Sequence, residues 1–256
     1  PYYIVDVPYE YSEEAVRYVT SQLREMISMI ESATGRRFDI DRLREVIRTE
    51  NETRGYQRLC IERLKDHSMP NTLTFEMYKL FVTHPEMGRK ETLEFFKLLS
   101  EDVLKYPDGG YRIFWVHILP YYLYPVQKHL NFNDEFKLIG SDLNFDYLED
   151  LDEKRPLEAI ARKLILNVNN GDFRRKIENI KRLVTDLRID GVIHFCQWGC
   201  RQSFGGVMLL KRELEKLNIP FLIIDGDGVD RRNSPEGQIN TRLSAFLEML
   251  TGRGKR

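Results

Sequence analysis

The sequence has few cysteines, no long apolar run and no excess of charge of one sign, and each absence excludes a class of protein. Three cysteines in 256 residues are too few for a disulfide-stabilised scaffold. No apolar run approaches the roughly 18–20 residues of a membrane-spanning helix, and the first residues do not form a signal peptide, so we expect a cytoplasmic protein without a membrane partner. The 39 basic and 40 acidic residues give a net charge of −1, which argues against a nucleic-acid partner.

Phosphate-binding and calcium-binding motifs are also missing. There is no Walker A sequence, and no G-x-G-x-x-G follows a predicted strand. Asp225, Asp227 and Glu236 match three positions of a calcium loop. However, Val229 stands where an oxygen ligand is needed and Asp230 where glycine is needed, so we exclude calcium.

The first part of the chain has the pattern of helices. Ser12 is placed to cap a helix that Gly35 ends, and Asp39 or Asp41 can cap a second helix. Two more helices are predicted over 73–82 and 86–105. The turn cluster at 107–110 is the predicted boundary between a helical segment, 1–110, and a second domain, 111–256.

Polar residues interrupt the apolar stripe of the second helix. They are Glu50, Asn51 and Arg54. We favour a solvated stretch over a set of polar groups that face a cleft.

The second part alternates predicted strands with predicted helices. The strands are 112–119, 136–139, 191–195 and 220–224, and the helices are 125–130, 156–167, 173–187, 204–217 and 235–250, with Ser234 as the cap of the last helix and Pro235 as its first residue. Strands joined by helix-length crossovers form parallel sheets. The sequence therefore predicts an α/β fold: a helical N-terminal part followed by a Rossmann-like parallel sheet of about four strands with helices on both faces.

Two polar, glycine-containing loops follow strands of this sheet, at 194–206 and 225–233. Ligands of open parallel sheets bind beyond the carboxyl ends of the strands, where we expect these loops to lie side by side. In the first loop, a helix N-terminus and Arg201 would lower a thiol pKa at Cys196 or Cys200 and favour the thiolate that binds metal. The alternative is a small buried hydrophobe, which we favour for Cys60.

The other side chains of the first loop leave several roles open. His194, Cys196 and Cys200 could hold zinc. His194 could also act as a general acid or base, or be a structural residue. Trp198 and Phe204 could line a flat substrate, shield a cluster from water or plug the edge of the sheet.

The arginines near the second loop have two interpretations of equal weight. Arg231, Arg232 and Arg242, with the helix N-terminus near Ser234, would suit an anion. Alternatively, they form an internal ion-pair network with the acidic residues Asp225, Asp227 and Asp230.

Two stretches resemble a known family. The run 190–202 (DGVIHFCQWGCRQ) resembles the C-terminal cysteine loop of the 2-hydroxyacyl-CoA dehydratase and benzoyl-CoA reductase family. Residues 225–248 resemble its closing motif, D-G-D-x-x-D-x-R-N-x-x-E-x-Q-x-x-T-R-x-x-A-F-L-E. The start of the chain is similar to the middle region of the family, so the resemblance covers the whole chain and implies that the N-terminal lobe of the family is absent from it.

The resemblance implies an iron–sulfur enzyme subunit. In this family, a [4Fe-4S] cluster is held by cysteines of two lobes, and the C-terminal cysteine matches Cys200. Cys196 would be a bystander or serve a double-cubane cluster. Trp198 and Phe204 would shield the cluster, and His194 or Gln202 would hydrogen-bond cluster sulfur or substrate.

The implied reaction is the loss of water from a 2-hydroxyacyl-CoA through a ketyl radical anion. An ATP-dependent iron–sulfur activator would inject the electron, and a second homologous subunit would complete the enzyme. The alternatives are a benzoyl-CoA-type or double-cubane reductase and a non-catalytic electron-relay or scaffold subunit.

Overall fold

The computed structural model describes residues 2–69, 83–120 and 122–254. In chain order the α-helices and strands are α1 (Glu13–Thr34), α2 (Ile40–Arg63), α3 (Lys90–Val103), β1 (Tyr111–Val116), α4 (Tyr124–Leu130), β2 (Phe136–Ser141), α5 (Pro156–Leu166), α6 (Phe173–Asp186), β3 (Gly191–Gln197), α7 (Arg201–Lys216), β4 (Phe221–Gly226) and α8 (Glu236–Arg253). The predicted α/β fold is confirmed. The helix predicted over 73–82 lies outside the described residues.

The sheet is entirely parallel, with the strand order β2-β1-β3-β4. Its strands are rich in β-branched and aromatic residues, and β1 and β3 are almost wholly buried because they are central and covered on both faces. Chain order reverses between β1 and β3, since β2 lies on one side of β1 and β3 on the other. This reversal is the topological switch point at which open α/β sheets bind ligands.

Helices cover both faces of the sheet. α4 packs against α8, and α6 is joined to α7 by an ion pair of 3.6 Å between Lys181 and Glu213. Right-handed crossovers place α4 on the face opposite the connections through α6 and α7.

No helix in the described part of the chain is both long enough and apolar enough to span a bilayer.

The described chain forms two compact units, and each takes residues from both sides of the turn at 107–110. The first consists of Pro1–Arg58, Glu86–Lys97 and Asp146–Lys176, and the second of Leu59–Pro85, Leu98–Phe145 and Ile177–Arg256. In the first unit, α1 packs through Val16, Val19 and Leu23 against α5. The whole sheet belongs to the second unit.

The expected helix caps of the first unit are confirmed. The Ser12 hydroxyl accepts a hydrogen bond from the Ala15 nitrogen at 3.0 Å, and Gly35 ends α1 with a φ of 67°. The Asp39 carboxylate accepts hydrogen bonds from the nitrogens of Asp41 and Arg42, so Asp39 caps α2. These caps satisfy backbone groups that a helix end leaves open.

The expected solvated stretch of α2 is wrong, because Glu50 and Arg54 are buried. Arg54 pairs with Glu50 at 2.5 Å, and Lys163 approaches the same carboxylate at 2.7 Å. Burial acts to raise the Glu50 pKa, but Lys163 and Arg54 together hold it below its ordinary value. Asn51 exchanges two hydrogen bonds with the backbone of Leu151.

Arg112 is a buried charge at the start of β1, in the second unit. Its guanidinium pairs with Asp108 at 2.5 Å and donates to the Leu187 carbonyl at 2.8 Å. Its backbone nitrogen donates to the Asp190 carboxylate. These contacts compensate for the removal of the charge from water.

Several predicted ends differ from the structure: α7, for example, begins at Arg201 rather than at residue 204, and β3 continues to Gln197 rather than ending at residue 195. β1 ends at Val116 rather than at residue 119, because His117 adopts a left-handed φ of 75°. The last helix begins at Glu236 rather than Pro235, and Ser234 does not cap it. The Ser234 hydroxyl instead donates to the Asp227 carbonyl at 3.0 Å.

Candidate functional site

The carboxyl ends of β1, β3 and β4 come together in the second unit. Val116, the last residue of β1, is in register with His194 of β3, and Cys196 of β3 is in register with Asp225 of β4. The Trp198 nitrogen donates to the Gly226 carbonyl at 2.9 Å, so the two predicted loops do lie side by side. The candidate site is therefore at the switch point of the sheet.

Cys200 is the N-cap residue of α7 and is partly exposed. The preceding Gly199 has a φ of 78°, and a side chain there would meet no atom within 4 Å. Glycine takes this left-handed turn without steric cost and leaves the surface beside the thiol open. The thiol thus stands at a helix N-terminus next to Arg201, in a place that a ligand from outside can reach.

His117 is the neighbour of Cys200 that sequence reasoning missed. Its Nε2 lies 3.7 Å from the Cys200 sulfur, and its side chain is buried. The Asp142 carboxylate accepts a hydrogen bond of 2.6 Å from the His117 backbone nitrogen. The Trp115 indole donates to the Ile118 carbonyl at 2.9 Å and holds the turn after β1. The available signal was a histidine within the apolar run 112–119.

His194 and Cys196 are on the same side of β3, because the strand continues to Gln197. The Cys196 sulfur lies 3.4 Å from Nδ1 of His194, and both side chains are buried. The rings of His194 and His117 are nearly parallel, with centroids 6.3 Å apart. The structure therefore links two histidine–cysteine pairs: His194 and Cys196 are both buried, whereas the buried His117 contacts the partly exposed Cys200.

The expectation that a helix N-terminus lowers the thiol pKa is wrong for Cys196. Burial raises the pKa of this thiol to about 11, and the nearby Asp225 carboxylate raises it further. Burial likewise raises the pKa of Cys60 to about 12, in agreement with its interpretation as a buried hydrophobe. Both thiols are protonated near neutral pH.

Zinc held by His194, Cys196 and Cys200 finds no support. Within residues 2–69, 83–120 and 122–254, no three His, Cys, Asp or Glu side chains are arranged to hold a metal ion. The described side chains thus cannot complete a metal centre by themselves.

Three predicted site residues lie at the surface around Cys200. Trp198 is 45% exposed and Phe204 is 52% exposed, so neither plugs the edge of the sheet. Gln202 is exposed in the first turn of α7. Two aromatic side chains close to Cys200 in sequence are thus available for contact.

The arginines near the second loop form ion pairs within the chain. Arg232 pairs with Asp230 at 2.7 Å and Arg242 with Asp225 at 3.0 Å, and Arg231 lies over the Tyr122 ring. The structure therefore favours the ion-pair interpretation over an anion site.

Asp227 organises the second loop and ties it to the first. Its carboxylate accepts hydrogen bonds from the nitrogens of Val229 and Asp230 and from the amide of Gln197. These bonds, led by that from Val229, lower the Asp227 pKa to about 2. The Gln197 side chain also accepts from the Gly228 nitrogen, so β3 and β4 end in one connected structure.

The family model described as "2-hydroxyglutaryl-CoA dehydratase, D-component" matches residues 1–250. The chain is 24% identical to the alpha subunit of (R)-2-hydroxyglutaryl-CoA dehydratase from Acidaminococcus fermentans over 274 aligned positions, which cover 98% of this chain and 55% of that protein. It is 25% identical to the alpha subunit of (R)-phenyllactyl-CoA dehydratase from Clostridium sporogenes, over 99% of this chain and 65% of that protein.

A reductase is also among the similar proteins. The chain is 21% identical to one of the subunits of benzoyl-CoA reductase from Thauera aromatica, over 98% of this chain and 64% of that protein. The chain thus spans 55% to 65% of the length of these three relatives, and all three are named as subunits. The match over residues 1–250 shows that the chain belongs to the 2-hydroxyglutaryl-CoA dehydratase D-component family.

Proposed function

We propose that this chain is part of an enzyme subunit that removes water from a 2-hydroxyacyl-CoA, and that Cys200 is one ligand of a [4Fe-4S] cluster in that enzyme. The observation that carries the proposal is the partly exposed Cys200 thiol at the switch point of the sheet. Membership of the family and the names of the similar dehydratases support the reaction class.

The donor chemistry fits one cluster ligand from this chain. Thiolates are the usual ligands of iron–sulfur clusters. Of the three cysteines, Cys200 is partly exposed, whereas Cys60 and Cys196 are buried with raised pKa values. The remaining ligands would come from protein outside the described residues. This distribution favours a single [4Fe-4S] cluster over a double-cubane cluster, which would need further thiolates.

The side chains around Cys200 have distinct proposed roles. When bound, the cluster would supply one low-potential electron to the thioester carbonyl. Trp198 and Phe204 would exclude water from that region, because both are aromatic, exposed and within four residues of Cys200 in sequence. Gln202 would hydrogen-bond the substrate from the first turn of α7. His194 is buried against Cys196, so we assign it to positioning that thiol rather than to proton transfer with substrate.

The proposed reaction is redox-neutral overall. One electron added to the carbonyl gives a ketyl radical anion, which expels hydroxide from the neighbouring carbon. Loss of a proton from the next carbon and return of the electron leave an enoyl-CoA and water. A second homologous subunit and an ATP-dependent activator that delivers the electron are the partners of this proposal.

A reductase of an aromatic acyl-CoA is the second candidate, and the similarity to the benzoyl-CoA reductase of Thauera aromatica favours it. In that case the added electrons stay in the product. A non-catalytic relay or scaffold subunit is the third, and it would bind no substrate.

The test is a substrate screen with the full-length protein, its partner subunit and an activator under anaerobic conditions. A dehydratase converts a 2-hydroxyacyl-CoA into a product that lacks one water, whereas a reductase converts an aromatic acyl-CoA into a product with added hydrogen. Mass spectrometry distinguishes the two. Failure to turn over or bind any acyl-CoA would overturn both in favour of a relay or scaffold.

A further inference from the structure

We propose that His117 is a positioning residue for Cys200, and that its Nε2–H donates a hydrogen bond to the Cys200 sulfur. This inference rests on the proposed function, because it gives His117 a role at the cluster site. His117 directly follows β1, and Cys200 is the N-cap residue of α7. Nε2 of His117 lies 3.7 Å from the Cys200 sulfur. Hydrogen bonds to sulfur are longer than those to oxygen, so this separation is within reach of one.

The backbone of His117 is held in the conformation that places its ring. Its φ of 75° lies in the left-handed region, which costs free energy for a residue other than glycine. The buried Asp142 carboxylate accepts from its backbone nitrogen, and the contact between Trp115 and Ile118 closes the turn. A backbone held from two sides restricts the positions that the ring can take relative to Cys200.

Burial restricts the ring as well. His117 is 9% exposed, and His194 lies parallel to it at 6.3 Å. His194 itself contacts Cys196, so each imidazole serves a different thiol. Of the two cysteines, Cys196 is buried and Cys200 is partly exposed. His117 is therefore the histidine placed to act on a thiolate that a metal can reach.

A hydrogen bond from His117 would stabilise negative charge on the Cys200 sulfur. Hydrogen bonds to the sulfurs are among the features that set the reduction potential of an iron–sulfur cluster. A donor at this position favours the reduced, more negative state, so we expect His117 to make the potential more positive.

The first test measures Cys200 without any cluster. The metal-free full-length protein is treated with iodoacetamide at one neutral pH, and modification at Cys200 is followed by peptide mass spectrometry. We expect His117→Asn to slow alkylation by roughly three- to tenfold, because it removes a hydrogen bond to a charged group. Asparagine tolerates a positive φ but is too short to reach the sulfur. His117→Gln can place an amide nitrogen near Nε2 and should restore much of the rate.

The matched control is His129→Asn. His129 lies in α4, where it contacts Asn240 at 3.0 Å, away from the thiol. His129→Asn should leave the rate of Cys200 alkylation unchanged. An equal rate in wild type and His117→Asn would overturn the proposal, whether or not the protein binds iron.

The second test measures the cluster-loaded protein by redox titration. We expect His117→Asn to disfavour reduction by roughly tenfold, which for a one-electron couple is a shift of about 59 mV to more negative potential. An unshifted potential would overturn the tuning role. Iron-free wild-type protein would overturn the proposed function, and the alkylation rates would still decide whether His117 acts on Cys200.

Discussion

The Asp142 carboxylate accepts a 2.6 Å hydrogen bond from the backbone nitrogen of His117 and so connects the end of β2 to the end of β1. His117 in turn lies 3.7 Å from the sulfur of Cys200, which follows β3. Three neighbouring strands thus contribute to one chain of contacts at the switch point. The position of the thiol depends on residues that are far from it in sequence.

Removal of the Asp142 carboxylate should destabilise this end of the sheet. Asp142→Ala leaves a buried backbone N–H without its acceptor, which costs about 1–3 kcal/mol. Asp142→Asn keeps an acceptor oxygen and should cost less. Urea unfolding of the two variants checks the prediction, and equal stabilities would contradict the assigned role of the carboxylate.

The buried guanidinium of Arg112 should be far more important for stability than a surface arginine. Arg112→Met removes one of the two arginines that pair with Asp108 and leaves the buried carbonyls of Leu64 and Leu187 without this donor. We expect a loss of about 1–3 kcal/mol in the free energy of unfolding for each carbonyl left unsatisfied. Arg44→Met is the control, because Arg44 pairs with Asp41 at the surface and should change stability by less than about 1 kcal/mol. Similar losses from both would refute the distinction.

The Glu50 cluster makes stability depend on pH. The folded-state pKa of Glu50 is lowered, so its stabilising contribution is present above the unfolded-state pKa of about 4.3 and is lost as pH falls through the folded value. Glu50→Gln should therefore be clearly less stable than wild type at pH 7, by about 3–5 kcal/mol for a buried pair. The difference should shrink below about pH 4.

The control for this experiment is Glu45→Gln, which removes an exposed pair with Arg42. It should have little effect at either pH. A difference between Glu50→Gln and wild type that stays constant from pH 7 to pH 3 would contradict the lowered folded-state pKa of Glu50.

The three cysteines should differ in reactivity. In the native, metal-free protein at pH 8, iodoacetamide should modify Cys200 and spare Cys60 and Cys196, because burial raises the pKa of these two to about 12 and about 11. Peptide mass spectrometry reads the modified positions. All three should react in denaturant, and native modification of Cys196 as fast as Cys200 would contradict its burial.

Local pattern was sufficient to predict most of the fold. Ser12 and Gly35 bound α1 as predicted because caps depend on a few neighbouring residues. The apolar runs predicted the strands, and the crossovers predicted their parallel arrangement. Ser234 was wrongly predicted to cap α8, because its hydroxyl donates to the Asp227 carbonyl instead. The capping preference of a single residue does not predict this contact.

Only part of the candidate site could be predicted from the sequence, because the rest depends on contacts between residues that are distant in sequence. The loop after β3 stands out in the sequence, and Cys200 was identified there. His117 lies inside an apolar run, and its left-handed φ depends on Asp142, which is 25 residues away in sequence. The buried pair of Glu50 and Arg54 was missed because the partner Lys163 comes from a distant helix.

The most direct test of the central claim is iron and acid-labile sulfide content, with an absorption spectrum, on anaerobically purified full-length protein. We predict that wild type contains a [4Fe-4S] cluster, that Cys200→Ala loses it, and that Cys60→Ala, which removes a buried thiol, keeps it. Iron in equal amounts in wild type and Cys200→Ala, or no iron in any of the three, would contradict the assignment of Cys200 as a cluster ligand.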